Sequence, residues 1–139
     1  MVYCYFIGSF KDSNFRRMVE DYHHRLKRLW PVTLVEVPEQ AKKIEKLLAD
    51  KNGKGILASL DAHGEGMDSG AFTRWVTQSS RDIFFFAWGA DGPPTPAPKM
   101  GMKSISLSPM TYPHELARVL LLEQLYRAGA TLKGHPYPR

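Results

Sequence analysis

Cysteine is nearly missing from this chain: Cys4 stands alone among 139 residues. One thiol excludes an internal disulfide framework and a cysteine-rich zinc site, and its place in an apolar segment predicts a buried, inert group. No apolar run is long enough to span a bilayer, and mean hydropathy is −0.33. The opening MVYCYFIGSF has neither the basic leader nor the small-residue cleavage site of a secretory signal, so a cytoplasmic setting is expected. No Walker lysine follows a glycine-rich stretch and no GxGxxG opens a helix, which disfavours nucleoside triphosphate and ordinary dinucleotide sites. The GxSxG elbow of a serine hydrolase is absent too. His23 and His24 are neighbours that point apart on a helix, and His63, His114 and His135 are scattered, so no metal site is expected.

What is present is a foldable, basic chain. Its 43% hydrophobic content and 16 aromatic residues suit one domain with a core, and exclude a disordered chain. The net charge of +5 is unevenly spread. Residues 1–54 carry 11 basic and 7 acidic side chains, residues 55–98 carry 2 and 5, and residues 99–139 carry 6 and 2. Basic ends around an acidic centre fit termini that meet a polyanion, although a basic surface also serves solubility alone.

The hydrophobic pattern alternates between strand and helix periods. Met1–Ile7 reads as a strand. Phe15, Met18, Val19, Tyr22, Leu26 and Leu29 share one helical face, capped by Asp12 or Ser13 and stopped by Pro31. A second strand is expected at Val32–Val37, and a short basic helix from Pro38 and Glu39 to about Asp50. Gly55–Leu60 and Ile83–Trp88 are continuous apolar runs of the kind buried on both sheet faces. Asp61–Gly66 is expected as a loop, and Asp68 or Ser69 begins a helix presenting Phe72, Trp75 and Val76. Gly89–Gly101 holds four of the ten prolines and is expected to lack regular structure. Ile105–Leu107 is a short strand. Pro113 sits in the first turn of a long helix, about His114–Ala128, with Leu116, Val119, Leu120, Leu122 and Leu125 inward. The prediction is an α/β domain with a mainly parallel sheet flanked by helices.

Such sheets bind ligands at loops leaving the carboxyl ends of their strands. The loops from Leu60, from Trp88 to Gly92, and from Leu107 to Tyr112 all follow buried strands and point to one crevice. At the other end, Glu123 and Arg127 face each other four residues apart, ahead of the aromatic, basic tail HPYPR. Tyr137 suits stacking on a base, and His135 and Arg139 suit phosphates or base edges. Each of these features, taken singly, also has a plain structural reading: a surface ion pair, a turn glycine, an idle tail.

Together they closely resemble the RlmH family, small SPOUT methyltransferases of the ribosomal large subunit. The similarity rests on SLSPMTYPHELARVLLLEQLYRA (Ser106–Ala128), which carries that family's LSxMTxPH and ExLYRA segments, and on the tail His135–Arg139. Leu60-Asp61 and Gly89–Gly92 fall where the family has its LD and GGxxG segments. The resemblance implies a deep trefoil knot over about residues 83–139, a rare feature in proteins. It also implies a homodimer, S-adenosylmethionine as cofactor, and methylation at N3 of a pseudouridine in large-subunit (23S) rRNA, free or in the assembled ribosome. Carried over by position, the cofactor cradle is Leu60, Trp88, Gly89, Gly92 and Leu107, Ser108, Pro109, Met110, Thr111 and Tyr112, roofed by the tail. The RNA-facing, catalytic set is His114, Glu123, Arg127, His135, Tyr137 and Arg139. In that reading His114 or His135 accepts the N3 proton, and Arg127 or Arg139, oriented by Glu123, steadies the imide anion.

Three departures qualify the likeness. Trp88 replaces one of a pair of glycines, the Pro93–Pro98 loop is short and proline-rich, and Pro138 replaces a histidine. An indole at position 88 either stacks on adenine or narrows the pocket, and the second case leaves a dimeric RNA-binding protein without catalysis. A flavodoxin-like nucleotide-binding or signalling domain is the unrelated alternative.

Overall fold

A computed structural model describes residues 1–137. Five strands, β1 (Val2–Ile7), β2 (Val32–Val37), β3 (Ile56–Gly66), β4 (Ile83–Ala87) and β5 (Lys103–Ser106), form one parallel sheet in the order β2-β1-β4-β3-β5. Helices α1 (Ser13–Leu26), α2 (Ala41–Lys51) and α3 (Ser69–Gln78) connect the first four strands. A short 3-10 helix, Ala97–Met100, precedes β5, and α4 (His114–Leu132) follows it. The sheet is therefore the parallel α/β arrangement that the alternating pattern predicts.

Both faces of the sheet are covered. On one, Cys4, Phe6, Phe85 and Ala87 pack with Val19 and Leu26 of α1, Phe72 and Val76 of α3, and Val119, Leu122 and Leu125 of α4. On the other, Tyr5, Ile7, Phe84, Phe86 and Trp88 meet Ile44 of α2 together with Ala97 and Met102. Successive strand residues point to opposite faces, so a central strand covered twice must be apolar throughout; β4 reads IFFFA and is wholly buried. Cys4 is completely buried, and desolvation pushes its thiol well above the ordinary range. β2, at the sheet edge, leaves Val35 and Glu36 exposed.

Helix starts follow local chemistry. The Asp12 carboxylate accepts from the Asn14 amide at 2.8 Å, and the Asp68 carboxylate accepts from that of Ala71 at 2.7 Å. Pro113 is the cap of α4 rather than part of its first turn, with ψ at 138°. α4 runs four residues past Ala128 and is buried nearly all round, including Leu121, because α1, α3 and the sheet enclose it. The Trp30 indole N–H donates to the Leu125 carbonyl at 3.1 Å and ties the turn after α1 to it.

Three expectations are corrected. The helix after β2 starts at Ala41, leaving Pro38–Gln40 in a loop. The proline-rich segment does contain one helical turn, Ala97–Met100. Asp61–Gly66 is only partly a loop: Leu60 and Glu65 both stand opposite Ile105, so 61–64 bulge outward and Gly66 pairs with Ser106. That return requires close backbone approach, since a Cβ on Gly64 would lie 2.7 Å from the Ile105 nitrogen. Gly64→Ala is expected to cost about 1–3 kcal/mol by overpacking against backbone that cannot swing aside. A lowered urea midpoint checks this; an unchanged midpoint means β5 yields.

Candidate functional site

The carboxyl ends of β3, β4 and β5 open onto one crevice of about 330 Å³, inside the usual range for small-molecule sites. Leu60, Trp88, Gly89, Gly92, Leu107, Ser108, Met110, Thr111 and Tyr112 line it, as does His114 at the start of α4. Of the expected cradle, Pro109 alone is outside the lining. The cradle carried over by position left out Asp61, Ala62, Ala87, Ala90, Pro93 and Ala117, although Asp61, Ala62 and Ala90 lie on the loops expected to form the crevice. Four of these directly neighbour residues already chosen, Ala62 is two positions from Leu60, and Ala117 lies one helical turn from His114, so loop position and helical spacing account for them.

The walls are mostly backbone and small side chains. Gly92, at φ +70°, donates its amide to the Gly89 carbonyl at 3.0 Å and closes a tight turn that only glycine enters easily. The Ser108 hydroxyl accepts from the Met110 amide at 3.0 Å, and the Ser106 hydroxyl donates to the Ser108 carbonyl at 2.7 Å, shaping the loop after β5. Met110 stands 69% exposed beside the opening.

Trp88 does not plug the crevice. It has the same strand parity as Phe84 and Phe86, so its indole turns into the core on the far face of the sheet. There it stacks on Phe86 at 5.7 Å and is 6% exposed. Its buried N–H donates to the Ser59 hydroxyl at 2.7 Å.

The carboxyl-terminal residues form a second constellation. Arg127 Nε donates to both Glu123 oxygens, at 2.6 and 3.0 Å, and the Tyr137 hydroxyl donates to Glu123 Oε1 at 2.7 Å. The Arg127 guanidinium lies 5.7 Å from the Tyr137 ring centre, and Tyr137 meets Tyr126 edge-on at 4.6 Å. Burial, and then the hydrogen bond to Glu123, push the Tyr137 hydroxyl well above its ordinary value, so it stays a donor. His135 is exposed, and its Nδ1 accepts from the Tyr137 amide at 3.2 Å. Arg139 lies outside the described residues.

Among the described residues of the catalytic set, only His114 reaches the crevice. Glu123 is nine residues along α4, about 13 Å at the helical rise, and Glu123, Arg127, His135 and Tyr137 are not among the crevice-lining residues. The described part of the tail therefore does not roof the crevice of its own chain. Among the described residues there is no group of three or more His, Cys, Asp or Glu placed to hold a metal ion, and no helix long and apolar enough to cross a membrane.

A family model described as "Predicted SPOUT methyltransferase" matches residues 1–138. A protein named "Ribosomal RNA large subunit methyltransferase H" from Solibacter usitatus is 37% identical over 141 residues, covering 99% of each chain. Its namesake from Rhodospirillum centenum is 38% identical over 146 residues, covering 96% of this chain and 95% of its own. The solved structure of "a probable methylase family protein" from Haemophilus influenzae shares the fold, with a TM-score of 0.64 over 99% of this chain and 70% of that one at 11% identity.

The indole's burial depends on its hydrogen bond. Ser59→Ala is expected to cost about 1–3 kcal/mol, the penalty of an orphaned buried donor, read as a fall in unfolding free energy in urea. No loss would mean that the N–H finds another acceptor.

Proposed function

The chain belongs to the SPOUT methyltransferase family, and from that premise we propose that it transfers the methyl group of S-adenosylmethionine to N3 of a pseudouridine in large-subunit (23S) rRNA. One observation carries the reading: the loops after three buried strands converge on a single open crevice whose walls suit a nucleoside-sized ligand. The residues fit the methyl donor. Gly89, Ala90 and Gly92 let backbone approach closely, Leu60 and Leu107 supply apolar walls, and the Ser108–Tyr112 loop closes the side. When bound, S-adenosylmethionine supplies an electrophilic methyl on a sulfonium, which needs no further activation.

The chain's own task is to place a weak nucleophile in line and ease the loss of its N3 proton. His114, at the crevice, is placed to take that proton. Glu123 holds Arg127 and Tyr137 in one cluster, a ready site for an imide anion or a stacked base. Because this cluster lies away from the crevice of its own chain, we infer a homodimer in which one subunit's tail completes its partner's crevice. The resemblance supports the further inference of one domain with a deep trefoil knot over about residues 83–139, acting on rRNA or ribosomes in the cytoplasm.

The reading of an impaired RNA-binding protein rests on a pocket damaged at Trp88 and the proline-rich loop; the Trp88 indole packs against Phe86 and Ser59, and Pro93 of that loop lines a crevice that is open. A flavodoxin-like signalling domain is set aside by family membership.

Labelled methyl transfer from S-adenosylmethionine to ribosomal substrate tests the proposal; no transfer from the wild-type protein overturns it. Tyr137→Ala should lower transfer about 10- to 100-fold while donor affinity, by calorimetry, stays within about twofold of wild type. Collapse of donor affinity would undo the division between crevice and tail.

A further inference from the structure

A second cavity, about 520 Å³, opens at the carboxyl ends of β1 and β2. Gly89, Ala90 and His114 line both this cavity and the donor crevice, so molecules in the two spaces would be neighbours. Ser9, Lys11, Glu36, Glu39 and Arg118 complete its polar lining. None of these five has a role in the reading above.

Arg118 is fully buried. Its Nη2 donates to the Ile7 carbonyl at 2.6 Å, and the guanidinium lies 5.2 and 4.8 Å from the ring centres of Phe6 and Phe10. Its Nε and Nη1 have no hydrogen-bond partner, a rare condition for buried donors. Glu36 is already paired with Arg16 at 2.9 Å. Glu115 accepts the Lys11 and Asp12 amides at 2.9 and 3.2 Å, fixing the loop that carries Lys11 to the first turn of α4.

Glu39 stands at the junction of the two spaces. Its carboxylate lies against Gly89, where an added Cβ would displace it. Gly8 lies between Glu39 and Arg118: a Cβ on it would be 3.9 Å from Glu39 Cδ and 3.8 Å from Arg118 Nη2. The guanidinium and the carboxylate thus flank one glycine and one cavity without forming an ion pair.

Opposite charges that share a cavity but do not meet suit a neutral ligand bearing both acceptors and a donor. A phosphate offers only acceptors and would face Glu39 with Glu36 behind it; a lone cation would face Arg118 and Lys11. Apart from the N3 edge, which must face the methyl donor, a pseudouridine ring carries an N1–H next to the C2 carbonyl, which matches a carboxylate beside a guanidinium. We propose that this cavity receives the pseudouridine base of the substrate nucleotide, with Glu39 accepting from N1–H and Arg118 donating to the C2 carbonyl, so that N3 is left to face the donor crevice and His114. The inference rests on the rRNA methyltransferase reading and deepens it by naming the pocket into which the target base is drawn out of the RNA.

Titrating the nucleoside pseudouridine, and separately inorganic phosphate, into ¹⁵N-labelled protein tests the pocket apart from catalysis. The nucleoside should shift the Gly8 and Gly89 amide signals, phosphate should not, and Glu39→Gln should weaken nucleoside binding about fivefold or more. Phosphate acting in place of the nucleoside, neither probe acting, or full binding by E39Q each overturns the proposal. In methyl-transfer assays E39Q should lower kcat/KM for ribosomal substrate about tenfold with donor affinity unchanged; a fall in donor affinity instead would assign Glu39 to the donor and overturn its role here. Wild-type protein that binds the nucleoside yet transfers no methyl group would keep the pocket and count against the transferase reading.

Discussion

Because all five strands run parallel, their carboxyl ends lie along one rim, and every loop that leaves a strand begins there. This orders the sequence-distant residues of both cavities. Leu60, Trp88 and Leu107 end or follow β3, β4 and β5 and meet at the crevice, while Gly8 and Glu39 follow β1 and β2 and meet at its neighbour. Parallel pairing is slanted and slightly weaker per residue than antiparallel pairing, so the arrangement persists only where both faces are buried. The two apolar clusters on either side of β4 meet that condition.

Helix α4 connects the rim to the rest of the molecule. Its first two turns contribute His114 to both cavities and, through Glu115 and Arg118, grip the β1–α1 loop and the end of β1. Burial tends to pull the Arg118 guanidinium below its ordinary range, and Glu115, Glu36 and Glu39 oppose that shift. The far end of α4 holds Glu123 and Arg127 against Tyr137. Nine residues of helix, about 13 Å at the helical rise, thus separate Glu123 of the tail cluster from His114 at the crevice.

Much of this was legible in the sequence because it follows from period and punctuation. Apolar runs marked the buried strands, Asp12 and Asp68 marked two helix starts, and the loop rule marked nine of the ten cradle residues. What escaped depends on tertiary neighbours. The return of β3 at Glu65 needs β5 alongside and leaves no local pattern. Leu121 belongs to no single stripe because α4 is enclosed on several sides. Arg118 and Glu39 look like ordinary helix and loop charges; only the packing of Phe6, Phe10 and Gly89 around them makes them unusual. The direction of Trp88 was available all along from its parity with Phe84 and Phe86, although its glycine-pair position drew attention to the crevice instead.

Two of the chain's departures from the RlmH pattern are parts of one packing solution. An indole in place of glycine must find a home, and burying one removes about 150–250 Å² from water, about 4–6 kcal/mol at 25 cal/mol per Å². An orphaned N–H would forfeit about 1–3 kcal/mol of that, so apolar contact outweighs the polar cost even before Ser59 accepts the proton at 2.7 Å. The contact comes partly from the proline-rich segment: Ala97, in its single helical turn, and Met102 just beyond lie in the same cluster as Phe86 and Trp88. A short loop pinned by prolines loses less entropy on folding than a free one and holds those residues against the sheet. With the indole held on that face, Gly89 and Gly92 remain at the crevice wall with no large side chain between them and a ligand. Substitution of a glycine by the largest side chain is compatible with an open site because strand parity sends its bulk to the opposite side of the sheet.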